Sequence, residues 1–186
     1  MKVTDGEKLI LLMLSEIYDK LELNGEVEPD FIRSAIFSNN TWSIPWKYSG
    51  IPFESQETPL IVKEVLDILD MWRFIERSYE NLSDESKAYV ASNAKPFGEE
   101  PKFSGFDGNN ETDYMCTASF LVNDLDRFTE FKDRDFNSHC PSLDGYERML
   151  SVYKPIVESN GYRLLTAEEL TQVLLEQIHP SMRKGV

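Results

Sequence analysis

Apolar residues recur along this chain in steps of three and four, the rhythm of helices with one buried face. Ile10, Met13, Leu14, Ile17 and Leu21 define the first such face, in a helix predicted over 5–23. Leu9, Leu11, Leu12 and Tyr18 widen it, so two sides of that helix are expected to be buried. Thr4 and Glu7 stand at capping-box spacing, where a hydroxyl and a carboxylate each satisfy an end backbone N–H. Asn24 and Gly25 predict a left-handed stop. Pro29 opens a shorter helix with the stripe Phe31, Ile32, Ala35 and Ile36, ended by Asn39 and Asn40. A short helix at 42–48 follows, in a stretch where Trp42, Trp46, Tyr48 and Phe53 interleave with Pro45, Gly50 and Pro52. Those aromatic residues read as the lid of a core; the other reading is a cation cage with Lys47.

The longest pattern starts at Thr58 and Pro59. Ile61, Val65, Ile68, Trp72, Ile75 and Tyr79, flanked by Val62, Leu66 and Leu69, predict a central helix to about residue 82. Ser83 caps the next helix. The segment 94–102, with two Pro, one Gly and two Glu, is the expected linker. Asn110 is expected to cap a helix with the stripe Tyr114, Ala118, Leu121, Leu125 and Phe128. Pro141 and Ser142 start another, with Leu143, Tyr146, Leu150, Tyr153 and Val157 inward, and Pro155 predicts a kink or early end. Thr166 and Glu169 form a second capping box before Leu170, Val173, Leu174 and Ile178, and 181–186 should fray. No sustained alternation marks a sheet, and 97–106 holds one short strand at most. The class is all-α: a multihelical fold of two packed helical lobes and about six to eight helices. The expected division is 1–93 and 103–186, joined by 94–102 and together forming one domain.

Charge narrows the function. The chain has 186 residues, with 33 Asp and Glu against 19 Lys and Arg, for a formal net charge of -14. Phosphate affinity comes mainly from Lys and Arg, so neither nucleic acid nor anionic membrane is an expected partner. A helix-turn-helix at 10–36 is disfavoured for the same reason, with only Lys20 and Arg33 as basic residues there. Cys116 and Cys140 form no disulfide framework, and with His139 and His179 they lack metal-ligand spacing. A reducing cytoplasm fits; no signal peptide is read at the start, and no run reaches the ~20 apolar residues of a membrane span. No cofactor and no metal is expected.

Candidate chemistry concentrates in 103–150, at two polar turns, 105–110 and 132–142. Asp107, Asn109, Asn110, Arg134, Asp135, Asn137 and His139 are the candidate ligand-binding residues; no catalytic residue is assigned. The run from Asp107 to Asp113 offers oxygens at alternate positions, but Thr112 and Ala118 stand where a calcium loop needs Gly and Glu. A turn with helix-capping acids is the reading kept. His139 has the pKa range of a general base and Cys140 a nucleophilic thiol, but neighbours in a loop rarely aim at one point, so a dyad needs a distant partner. Glu64, Asp67 and Asp70 share a strip that reads as a solvated face. No phosphate loop, dinucleotide fingerprint, zinc-helix motif or nucleophile elbow occurs.

Gly105-Phe106-Asp107 followed by Tyr114, then Phe136-Asn137, Pro141 and Tyr146-x-Arg148-Met149-Leu150, resembles the YfbU family of bacterial proteins. The opening Glu7-Lys8-Leu9-Ile10-Leu11 is similar to the start of that family. The likeness covers most of the chain and is weakest over 41–58 and 80–102, where segment lengths depart from the family pattern. It implies an all-helical, two-lobed, cytoplasmic and oligomeric protein, and no reaction. It carries over no catalytic residue, and His139 stands where the family shows a different polar residue. Wide-faced helices, strong acidity and the lack of a catalytic signature make the expected function a non-enzymatic interaction or regulatory protein, with a protein partner or self-association into a homo-oligomer. The alternative is an enzyme or small-ligand binder whose site forms where the turns 105–110 and 132–142 meet.

Overall fold

A computed structural model describes residues 2–182. It is all-α and multihelical, with α1 (Asp5–Lys20), α2 (Pro29–Phe37), α3 (Ile44–Lys47), α4 (Leu60–Glu80), α5 (Asp84–Asn93), α6 (Thr112–Ser119), α7 (Leu143–Ser159) and α8 (Ala167–Leu175). The two predicted capping boxes are present, at Thr4 with Glu7 and at Thr166 with Glu169. Among the described residues there is no strand; one parallel bridge joins Phe106 to Asn137.

Helix α4 is the central element. Val62, Val65, Ile68, Leu69, Met71, Trp72 and Ile75 are buried along it, and α6, α7 and α8 all pack against it. Trp72, Phe103, Phe106 and Tyr146 meet edge-on or tilted, with Trp72 and Tyr146 centroids 5.6 Å apart and Phe103 and Phe106 likewise 5.6 Å. Such pairs add stability beyond the area they bury. The polar strip of α4 is solvated at Asp67, as expected, and also holds neighbours: the Tyr114 hydroxyl donates to Glu64 at 2.6 Å and Lys154 reaches Asp67 at 2.6 Å. The bond to Glu64, with burial second, pushes the Tyr114 hydroxyl up to about 12. One continuous core runs from Phe31 to Leu174, and Ala94 and Phe103 at the two ends of 94–102 belong to it.

Five local expectations are corrected. Helix α1 ends at Lys20, and the left-handed residue is Glu22, not Asn24 or Gly25. Leu23 N–H reaches Tyr18 O at 3.2 Å and Glu22 N–H reaches Asp19 O at 3.1 Å, a Schellman closure that satisfies the last carbonyls before Asn24 is reached. Asn110 does not cap α6; Glu111 occupies that position. The stripe through Leu125 and Phe128 is not one α-helix. A π-helical turn at Phe120–Asp124 follows α6, and Asp126 and Phe128 are left-handed. The wider turn places Leu125 against the core although the helix ends there. Pro155 lies inside α7 without ending it, because Tyr153 and Val157 on either side are buried and hold the helix in place. Of the expected frayed tail 181–186, Ser181 and Met182 belong to a 3-10 turn that starts at Pro180, and 183–186 lie outside the described residues.

The largest departure is in α1. Its only fully buried residue is Ser15, and only Leu11 and Leu12 lean on the core. Leu9, Ile10, Met13, Leu14, Ile17 and Leu21 are between 51% and 63% exposed. The helix rests on α2, tied by Arg33 and Asp19 at 2.7 Å, so one of its two apolar sides is covered and the other is not. The aromatic segment 42–53 behaves as the expected lid. Trp42 and Trp46 pack on the core, the Trp42 indole N–H donates to Asn40 at 2.9 Å, and Lys47 lies 5.2 Å from the Phe31 ring centre while pairing with Glu28.

Candidate functional site

The two polar turns meet. Phe106 N–H donates to Phe136 O at 2.9 Å, and Ser138 N–H donates back to Phe106 O at 3.0 Å. This close approach requires Gly105: its φ is +88°, and a Cβ there would stand 2.1 Å from Phe136 O. Buried Phe106 and Phe136 anchor the two turns in the aromatic core, so the polar residues beside them are carried to one place.

Once there, those residues bond chiefly to one another. The Asn137 side-chain oxygen accepts from Gly108 N–H and from His139 N–H, each at 3.0 Å, and thereby staples the turns together. Asp107, 2% exposed, accepts from Asn109 N–H at 3.0 Å and from the Asn110 amide. Those two bonds, in that order, hold the Asp107 carboxyl below the usual carboxylate range, with a smaller contribution from the nearby His139. Asp135 accepts from Asn137 N–H at 2.9 Å. Arg134 points away from this cluster to α4, where it pairs bidentately with Glu76 at 2.7 and 2.8 Å and covers the Phe131 ring. His139 is an exposed residue with left-handed backbone, φ +56°. The structure thus joins Asp107, Asn109, Asn110, Asn137 and His139 in one cluster, with Asp135 at its edge and Arg134 outside it.

Two carboxylates organise this region without having been singled out from the sequence. Glu111, 9% exposed, accepts Ser142 N–H at 2.9 Å and Leu143 N–H at 2.8 Å on one oxygen. Its other oxygen accepts Asp107 N–H and the Ser142 hydroxyl, each at 2.9 Å. Glu111 therefore caps α7 from across the chain and occupies the anion position that a helix N-terminus offers. Glu76 accepts Phe103 N–H at 2.8 Å as well as Arg134. No local pattern marks these roles, because the partners Phe103 and Arg134 of Glu76, and Ser142 and Leu143 of Glu111, lie 27 or more positions away.

Beside the cluster, between the second turn, the start of α7 and the segment after α8, lies a cleft of about 410 Å³. Cys140, Ser142, Tyr146, Arg148 and His179 are among its walls. His179 thus lines the same cleft as Cys140, a proximity that 38 intervening residues hide from sequence reading. Arg148 is committed to Glu176 O at 2.9 Å and Gln177 O at 3.1 Å. The Tyr146 hydroxyl donates to Gly105 O at 2.9 Å, and burial pushes it up to about 12. Cys116 and Cys140 are free, exposed thiols. Among the described residues no group of three His, Cys, Asp or Glu could hold a metal ion, and no helix is long and apolar enough to cross a membrane.

Comparison with known proteins agrees with the residues that carry the resemblance. A UPF0304 protein of Methanocaldococcus jannaschii is similar at 31% identity over 115 residues, which cover 59% of this chain and 64% of that relative, just under two thirds of its length. A family model described as the YfbU domain matches residues 1–175, from α1 through the paired turns to the end of α8. The chain belongs to the YfbU family.

Proposed function

We propose that this protein acts by binding a protein through α1, as a non-enzymatic interaction or regulatory component of the cytoplasm. The observation that carries this reading is the exposed apolar stripe from Leu9 to Leu21 on an ordered, capped helix. Each of those side chains leaves more than half its surface in water. Scattered exposed Leu or Ile residues are ordinary, but a contiguous row along one helix marks a contact face. The chemistry of the paired turns supports the same reading, since their carboxylates and amides bond to backbone within the fold. The two free thiols suit a reducing compartment.

The test is a comparison of the chain with its Leu14→Glu variant, by sedimentation and by pull-down. The reading requires wild type to form a complex, with itself or another protein, that the variant loses. Identical behaviour of the two, with no complex formed by either, would count decisively against it.

One observation favours a second reading, a small-ligand site at the turns. They converge, and the adjoining cleft is lined by both Cys140 and His179. This reading expects rapid, pH-dependent alkylation of Cys140 that His179→Ala slows by at least about tenfold, as for a thiol activated by its neighbour. Alkylation no faster than that of a free thiol would remove it.

A further inference from the structure

We infer that the exposed side of the C-terminal half of α4 carries a ligand site, a cleft of about 700 Å³ that takes a small zwitterion bearing an ammonium group and a carboxylate, an amino acid or a short peptide. The site stands apart from α1 and from the paired turns. It uses Arg134, which leaves the turn cluster for α4.

Two elements build the cleft. Arg73, Glu76, Arg77 and Glu80 recur at helical spacing and share one face of α4. Glu130, in the 3-10 turn Thr129–Phe131, and Arg134 just beyond it line the same cleft. Half-buried Phe74 adds an apolar patch, and the volume lies within the ~300–1,000 Å³ of small-molecule sites. Two of the three guanidinium groups are fixed in advance. Arg134 lies 4.8 Å from the Phe131 ring centre while it grips Glu76, and Arg73 lies 5.3 Å from that of Phe128 while it bonds to Asp70. The two rings themselves stack, with centroids 6.4 Å apart. Guanidinium groups held in this way lose little freedom when a ligand arrives.

Charges of both signs are left over. Elsewhere in the chain, acid and base three apart on a helix close into ion pairs: Asp5 with Lys8, Asp30 with Arg33 and Asp70 with Arg73. In each the acid comes first, the order that the helix favours. Arg77 and Glu80 stand at the same spacing in the reverse order, and among the described residues neither makes an ion pair. Glu130 reaches Arg73 Nε only at 3.7 Å, beyond hydrogen-bond length. The bond to Glu76 holds the Arg134 guanidinium above its usual range, with smaller contributions from Glu130 and Glu80, so both of those carboxylates lie near it.

The leftover groups select the ligand. A simple anion would meet Glu80 and Glu130 and the field of a chain of net charge -14. A simple cation would meet Arg73, Arg77 and Arg134. A molecule with both charges is attracted by each set. Its carboxylate suits Arg77, whose planar fork accepts two oxygens side by side. Its ammonium suits Glu80, at the C-terminal end of α4, where the partial negative charge of the helix end adds to that of the carboxylate.

Isothermal titration calorimetry on the full chain at pH 7 tests the site, with L-alanine and trialanine as probes. At least one of the two is expected to bind with a Kd of ~1 mM or tighter. Alanine binding as tightly as trialanine would identify a free amino acid as the ligand; binding of trialanine alone would identify a peptide. The binding probe carrying an N-acetyl group, or an amide in place of its carboxylate, lacks one charge and is expected to bind at least about tenfold more weakly. Arg77→Ala and Glu80→Gln should each weaken the unblocked probe by a similar factor. Both residues are exposed, and the blocked probes read the site without altering the fold at all. No binding of either probe would overturn the proposal. So would a blocked probe that binds as well as the unblocked one, or binding that Arg77→Ala leaves unchanged.

Discussion

Helices α1 and α4 carry the same apolar rhythm and lie in opposite environments. In α4, the residues at steps of three and four from Val62 to Ile75 are sealed beneath α6, α7 and α8. In α1, residues at equivalent steps from Ile10 to Leu21 face outward, and α2 covers only the other side. A helical stripe shows that something must cover it, without showing whether the cover belongs to the same chain. The stripe of α4 is sealed inside the fold and that of α1 stays exposed.

The contrast can be broken by substitution. Trp72→Ala on α4 should produce the largest loss, about 3–5 kcal/mol in urea unfolding, because it opens a cavity in the aromatic core. A loss near that of a surface substitution would mean α4 is not central. Glu111→Ala should come next, at about 2–4 kcal/mol, since the buried N–H of Asp107 and the half-buried N–H groups of Ser142 and Leu143 would lose one charged acceptor. Glu111→Gln should not restore stability fully, because its amide would turn a donor toward those donors; full recovery would show that the cap is not what matters.

Acid should loosen the paired turns before it affects either helix stripe. The folded-state pKa of Asp107 lies below its ordinary value. Its contribution to stability is therefore present above the unfolded value of ~3.9 and is lost as pH falls through the lower folded one. Asp107→Asn should flatten the pH dependence of stability below about pH 4, and an unchanged acid limb would remove Asp107 from the account. The smallest effect belongs to α1. Ile17→Ser should change the stability of the chain by less than about 0.5 kcal/mol when measured at low protein concentration. A larger loss would mean that the α1 stripe is held by its own chain, and the contrast with α4 would vanish.

Much of the fold is legible in the residues themselves. Thr4 with Glu7, Pro29, Ser83 and Thr166 with Glu169 mark helix starts through short-range bonds that any chain with those side chains can make. The period of the apolar residues marks α4, α7 and α8. The region of the candidate cluster was legible too, because Gly105, Asn109, Asn110 and Asn137 are turn formers between apolar anchors. What the cluster does was not. Asn137 staples two turns and Glu111 caps α7 only because aromatic packing delivers them to partners 29 and 31 residues away.

Sequence alone determined the class, a count within about six to eight helices and most helix starts, since capping, proline placement and apolar period act within a few residues. Tertiary structure decided that the two turns meet, that Glu111 is their common acceptor, that Cys140 and His179 share a cleft, and that one apolar side of α1 stays open. Burial depends on which surfaces arrive opposite one another. The chain encodes that through the packing of its whole core rather than through any residue and its near neighbours.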